Sequence, residues 1–181
     1  MARSDGRRRE RRFAAALLAV VLAASAAGCG YRLRGTGSSL PPGVRTISVP
    51  VFKNLTTRYE LDVKLTRAVI DELVARGKVK LSADPAAADA VLEGEITAFV
   101  ANPIGFSGGN QADSYNITVT ARITLRQKTA AEPLFSNPSF TYQQAYEVPQ
   151  GQSFESVQSE AIDKIAGKFA RSLVVSILEG F

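Results

Sequence analysis

Cys29 is the single thiol in a chain that holds no histidine and no tryptophan. These absences remove most nucleophile and metal chemistry. Ser-His-Asp and Cys-His systems need an imidazole, and zinc sites need more imidazole or thiolate ligands than one cysteine supplies. Carboxylates remain. Glu93 and Glu95 stand two apart, so on a strand they share a face, as a paired-carboxylate site would. With no general-acid partner in view, a solvated face is the plainer reading. Arg122 and Arg126 are four apart, and Lys128 follows. On a strand the two guanidinium groups point to one side, where their fork suits phosphate or carboxylate. The alternative is an ordinary solvated sheet face. Gly105, Gly108 and Gly109 mark a loop, but no lysine follows and no helix opens, so it is not a phosphate loop. Ile104 and Phe106 in that stretch are apolar side chains offered either to a partner or to the domain's own edge. The expectation is a protein that is not an enzyme and holds no metal or diffusible cofactor.

The surroundings of Cys29 say what its sulfur is for. Arg3 and the run Arg7-Arg8-Arg9-Glu10-Arg11-Arg12 precede an apolar stretch from Phe13 to Ala27, which ends in Ala26-Ala27-Gly28-Cys29. A basic start, an apolar segment and small residues make a secretory signal, too short for a mature membrane span. Small residues ending in Gly28-Cys29 resemble the bacterial lipobox, in which diacylglycerol is joined to the sulfur, the chain is cut before it and the new N-terminus is acylated. Ala26 stands where leucine is usual. The alternative is ordinary cleavage after Ala24-Ser25-Ala26, which leaves a free thiol in an exported protein. Each acyl chain contributes about 0.8 kcal/mol per buried CH₂, so several chains anchor durably.

Residues 1–28 are thus read as a lipoprotein signal peptide. They hold 6 of the chain's 22 Lys+Arg and 2 of its 17 Asp+Glu, leaving 16 basic against 15 acidic. The high isoelectric point belongs to the leader, and no general case for nucleic-acid binding survives its removal. Residues 29–43, rich in Gly, Ser and Pro, read as a lipidated flexible tether of roughly 45 Å at full extension.

Residues 44–181 carry the periodicity of one folded domain. Ile47, Val49 and Val51 alternate with Thr46, Ser48 and Pro50, a strand with proline near an edge or end. Thr57 with Glu60 three residues on is spaced as a capping box, and Leu61, Leu65, Ala68, Val69 and Leu73 then recur at helical spacing. Glu60 and Lys64 are spaced for an i,i+4 pair, and Gly77 is a natural stop. Val79 and Leu81 suit a short strand, Ala83 to Ala88 a turn, and Ala90 to Ala101 a longer strand. Asn102 to Asp113, with Pro103 and three glycines, reads as a long hairpin loop. Tyr115, Ile117, Val119, Ala121, Ile123 and Leu125 then alternate with Ser114, Asn116, Thr118, Thr120, Arg122, Thr124 and Arg126. That pattern demands one dry face and one wet face. Phe140, Tyr142, Gln144 and Tyr146 form a further strand. A helix of about 25 residues starts at Ser153 with the stripe Val157, Ala161, Ile165, Phe169, Leu173 and Ile177. Gly167 in its middle costs about 1 kcal/mol relative to alanine unless the helix approaches the sheet closely there. The expected fold is an α/β two-layer sandwich: a mixed sheet of four strands, or five, with two helices on one face.

These residues resemble a known family. Cys29-Gly30-Tyr31-Arg32-Leu33-Arg34-Gly35 looks like the mature start of LptE, the LPS-assembly lipoprotein. Ile47-Ser48-Val49-Pro50-Val51-Phe52-Lys53-Asn54, Leu65-Thr66-Arg67-Ala68, Ala88-Asp89-Ala90-Val91-Leu92-Glu93-Gly94-Glu95-Ile96 and Tyr115 extend the likeness through nearly all of 29–181. The resemblance implies a lipid-anchored protein on the periplasmic side of the outer membrane, with Gly30 after the cysteine agreeing with outer-membrane sorting. It implies a plug within the LptD β-barrel that aids barrel assembly and the passage of lipopolysaccharide. Partners would be LptD, lipopolysaccharide and, through the anchor, membrane lipid. An accessory docking lipoprotein of another envelope machine and a carboxylate hydrolase are the competing readings.

Overall fold

The computed structural model describes residues 40–106 and 112–180. Cys29, the leader and most of the tether lie outside the described residues. The described end of the tether is held by the domain: Leu40 packs against the core, and Val44 N–H donates to Pro41 O at 3.0 Å.

The elements in chain order are β1 (Thr46–Ser48), β2 (Lys53–Asn54), α1 (Leu61–Arg76), β3 (Lys80–Leu81), β4 (Ala90–Phe106), β5 (Ala112–Gln127), β6 (Phe135–Glu147) and α2 (Phe154–Glu179). They make a six-stranded mixed sheet of order β3-β1-β4-β5-β6, with β2 also on β4. β1 and β2 run parallel to β4, while β4, β5 and β6 form an antiparallel meander. The two-layer sandwich is as expected; the strand count is six because two two-residue strands join the sheet.

The alternation of β5 decides which side of the sheet is buried. Ile117, Val119, Ala121, Ile123 and Leu125 are at most 1% exposed, and both helices lie over them. α1 buries Leu61, Leu65, Val69 and Leu73, and α2 buries Val157, Ala161, Ile165, Phe169, Leu173 and Ile177. Phe140 meets Phe169 edge-on at 5.2 Å, and Tyr115 stacks on Phe154 at 4.5 Å. Aromatic contacts of this kind add to plain area burial.

Phe52 joins the first segment to the meander. Its ring occupies the space above Gly94, where a Cβ would come within 2.6 Å of ring carbons. The Phe52 N–H donates to Thr66 Oγ1 (2.9 Å), and that hydroxyl donates to Asp62 O (2.7 Å). A second clasp lies at the base, where Asp89 Oδ2 accepts from Thr46 N (2.8 Å), Thr46 Oγ1 (2.8 Å) and Arg45 N (3.0 Å).

Four local readings need correction. The helix does not start from a Thr57 capping box. Asn54 Oδ1 takes the Thr56 N–H and hydroxyl while its amide donates to Arg58 O (2.8 Å), holding 54–58 in a turn. α1 therefore begins only at Leu61, behind Glu60 at φ 58° with no side-chain cap. Lys64 pairs not with Glu60 but with Asp163 of α2, at 2.7 Å. The long loop is largely strand: pairing continues to Phe106 opposite Ala112. Pro103 is tolerated there because it faces Tyr115, whose own ladder bonds go to β6, so the missing N–H would point to an unpaired edge. Finally, a Cβ at Gly167 would meet nothing within 4 Å, so close packing does not require that glycine.

Two outcomes follow. Gly94→Ala destabilises the domain by about 1–3 kcal/mol in denaturant unfolding, because the Phe52 ring must move. The three donors on Asp89, with the Thr46 hydroxyl first, hold its carboxyl below the ordinary 3.8. A lowered folded value means stability present above the unfolded pKa and lost as pH falls through the folded one. Asp89→Asn is therefore less stable than the parent at neutral pH, and unfolding curves of the two converge as pH falls below 3.8.

Candidate partner-binding face

The side of the sheet away from the helices is uncovered by any described element. Along β5 it presents Asn116, Thr118, Thr120, Arg122, Thr124 and Arg126, the wet half of the alternation. Arg122 and Arg126 are brought together here, but not as free cations. Glu95 on β4 pairs with Arg122 and, at 3.4 Å, with Lys53 on β2. Glu93 stands 3.9 Å from Arg126. The two carboxylates are thus ion-pair partners of the arginines across the β4–β5 ladder. Pro50, Val51 and Thr124 complete a shallow basin of about 470 Å³ around them. Its three cations exceed its two carboxylates by one charge.

Lys53 was missed as a site residue. The signal was its place two residues after Val51 and two before Leu55, which puts all three on one side of the first extended segment. Lys128 does not join the basin. Its ammonium bonds the Ala86 carbonyl and its N–H donates to Asp89 O (3.2 Å), so it ties the end of β5 to the turn before β4.

Ile104 and Phe106 lie at the far end of β4 and are 58% and 62% exposed. They are strand residues beside the tip of the β4–β5 hairpin, and neither folds back into the core. Val51, Leu55, Tyr59 and Val100 are also exposed. Between the two helices runs a groove of about 670 Å³, bridged by Lys64–Asp163 and, at 3.9 Å, by Arg171–Glu72. Among the described residues no cluster of His, Cys, Asp or Glu is placed to hold a metal ion.

An open polar sheet face, an apolar hairpin tip and paired charges make a surface for docking. Residues 44–177 match the LptE family, described as lipopolysaccharide-assembly. The chain belongs to that family. It spans the whole described domain except its two ends, and it is a family of lipoproteins in lipopolysaccharide assembly rather than of enzymes. No curated protein sequence matches the chain. Among solved structures, a PelC variant from Paraburkholderia phytofirmans is 17% identical with a TM-score of 0.51, over 80% of this chain and 95% of that one. CT253 from Chlamydia trachomatis is 11% identical with a TM-score of 0.52, over 76% and 97%. The rare lipoprotein B of Shewanella oneidensis is 14% identical with a TM-score of 0.41, over 73% and 96%. The first two share the fold with this LptE-family protein.

Exposed ion pairs stabilise by about 0.2–1 kcal/mol each. Replacing both Arg122 and Arg126 by glutamine is accordingly expected to leave unfolding free energy within about 1–2 kcal/mol of the parent. A larger loss in urea titration would make these arginines structural rather than available to a partner.

Proposed function

We propose that this protein is anchored by acylated Cys29 at the periplasmic side of the outer membrane and sits as a plug in an LptD β-barrel. There it aids barrel assembly and the passage of lipopolysaccharide to the cell surface. The observation that carries this reading is the family match over a domain with one sheet face left bare and polar. A barrel lumen is lined with alternating polar side chains. The Thr, Ser and Asn of β5 meet such a wall without stranding unpaired charge.

The basin supplies a second part of the reading. Arg122, Arg126 and Lys53 already have carboxylate partners, so an incoming phosphate of lipid A or a carboxylate of LptD exchanges partners with Glu93 and Glu95. The net positive charge of the basin favours that exchange, and the arginine fork suits it. Ile104 and Phe106 give the hairpin tip an apolar contact against the barrel or the lipid.

The test is affinity isolation of the lipidated protein from outer membrane, with identification of what accompanies it. The proposal expects a large heat-modifiable β-barrel in the eluate and fatty acid on the Cys29 sulfur by mass analysis. Phe106→Asp is expected to reduce the barrel recovered while leaving the melting temperature unchanged. A bare sulfur, or a different principal partner, would overturn it; the latter would make the protein a docking lipoprotein of another envelope machine.

A further inference from the structure

The sheet ends on β6, which pairs with β5 on one side only. Val148 N–H donates to Asp113 O at 2.7 Å. Bonded residues alternate in an antiparallel ladder, so Tyr146, Gln144 and Tyr142 also bond inward to β5. The N–H and C=O groups of Thr141, Gln143, Ala145 and Glu147 then point away from the sheet. Natural sheets blunt such an edge with charge, proline or a covering segment. Pro138 does so in the lower half of β6. From Ser139 to Tyr146 the edge carries no proline and no charge.

A cavity of about 380 Å³ opens beside this part of the edge, between β6 and α2. Tyr146 forms part of its wall. The residue is 7% exposed, and its hydroxyl is buried without a hydrogen-bond partner. A polar group so placed is unfavourable until something bonds to it. Lys164 Nζ stands 5.3 Å from the Tyr146 ring centre and is held by Glu160 at 2.7 Å. That bond keeps the ammonium above its ordinary pKa, hence charged. Gln144 Oε1 accepts from the Tyr142 hydroxyl (3.3 Å), which leaves its amide N–H groups to donate. Three donors therefore border one cavity at one free strand edge: the Tyr146 hydroxyl, the Lys164 ammonium and the Gln144 amide. Glu147 and Glu160 lie close enough to disfavour an anion, so the group that fits is a neutral oxygen acceptor.

We propose that β6 receives a seventh strand from the barrel partner, an extended segment that places a neutral Asn, Gln, Ser or Thr side chain in this cavity. This rests on the LptD reading above. A protein built of strands is the natural donor. A closed barrel wall has no free backbone groups, so the donor is a luminal or terminal segment outside that wall. Backbone bonds to Thr141, Gln143, Ala145 and Glu147 supply affinity, and the cavity selects the side chain, as in other strand additions.

The experiment compares the lipidated protein alone with its LptD complex from outer membrane, by amide hydrogen exchange resolved across residues 140–148. The outward amides of Thr141, Gln143, Ala145 and Glu147 are expected to exchange about tenfold or more slowly in the complex, while the inward ones change little. Tyr146→Phe separates binding from folding. The free protein should melt at the same or a higher temperature, because an unpaired hydroxyl is gone, while the complex dissociates on the order of tenfold faster. Gln143→Pro combined with Ala145→Pro removes two outward donors and should weaken the complex. Lysine at the same two positions tests the edge by charge if the prolines disturb folding. A complex whose outward amides exchange as in the free protein overturns the seventh strand and leaves the barrel reading standing. Disulfide-trapped pairs of Gln143→Cys chains within the isolated complex would assign the edge to a second copy and overturn it too. Failure of LptD to co-isolate overturns the barrel reading, and this donor with it.

Discussion

The Phe52 ring rests where a side chain on Gly94 would otherwise stand, and its N–H is taken by Thr66 of the first helix. Three segments far apart in sequence meet at that contact: the extended stretch after β1, helix α1, and the middle of β4. Without it β2 and α1 would have little to hold them to the meander, since β1 and β2 are three and two residues long. Strands that short have too few ladder bonds to define their own register. Side-chain insertion and the Asp89 clasp supply what the ladder lacks. The stretches that resemble the family, around Phe52, Thr66, Asp89 and Gly94, are thus largely the residues that lock the parallel part of the sheet onto the antiparallel part.

With that junction in place, all the large apolar side chains of β5 fall on one side under two helices. The other side is left to water or to a partner. This division explains why the domain has a generous interaction surface and no enclosed reactive site. The charges on the bare face are balanced within it, because Glu93 and Glu95 sit across the ladder from Arg126 and Arg122. Paired surface charges of this kind exchange partners readily, since each pair is weak in water. They suit a surface that must bind without being saturated beforehand by strong internal bonds.

Much of the fold was legible in advance because it follows from period. The two-residue alternation from Tyr115 to Leu125 and the helical stripe from Val157 to Ile177 each have one structural solution, and both appear as read. Ser153 caps α2 as its residue type predicts, its side chain accepting from Ser156 N–H. The failures fall where a local signal met a stronger distant one. Thr57 and Glu60 have the spacing of a helix cap, yet Asn54 binds the intervening backbone first. Pro103 and the glycines after it look like a loop, yet β5 offers them a partner strand. Glu60 has an i,i+4 lysine, but Asp163 on the neighbouring helix holds that lysine instead.

The sequence by itself determined the one-sided burial of the sheet, the two helices and the membership of the domain in its family, because hydrophobic periodicity and local motifs are properties of neighbouring residues. Tertiary structure alone decided that Arg122 and Arg126 face carboxylates, that Lys128 turns away to a backbone carbonyl, and that the hairpin carries Ile104 and Phe106 on strand rather than loop. It also decided that Tyr146 buries a hydroxyl with nothing to bond. Each of these depends on which strand lies beside which and in what register, and register is set by contacts between residues tens of positions apart.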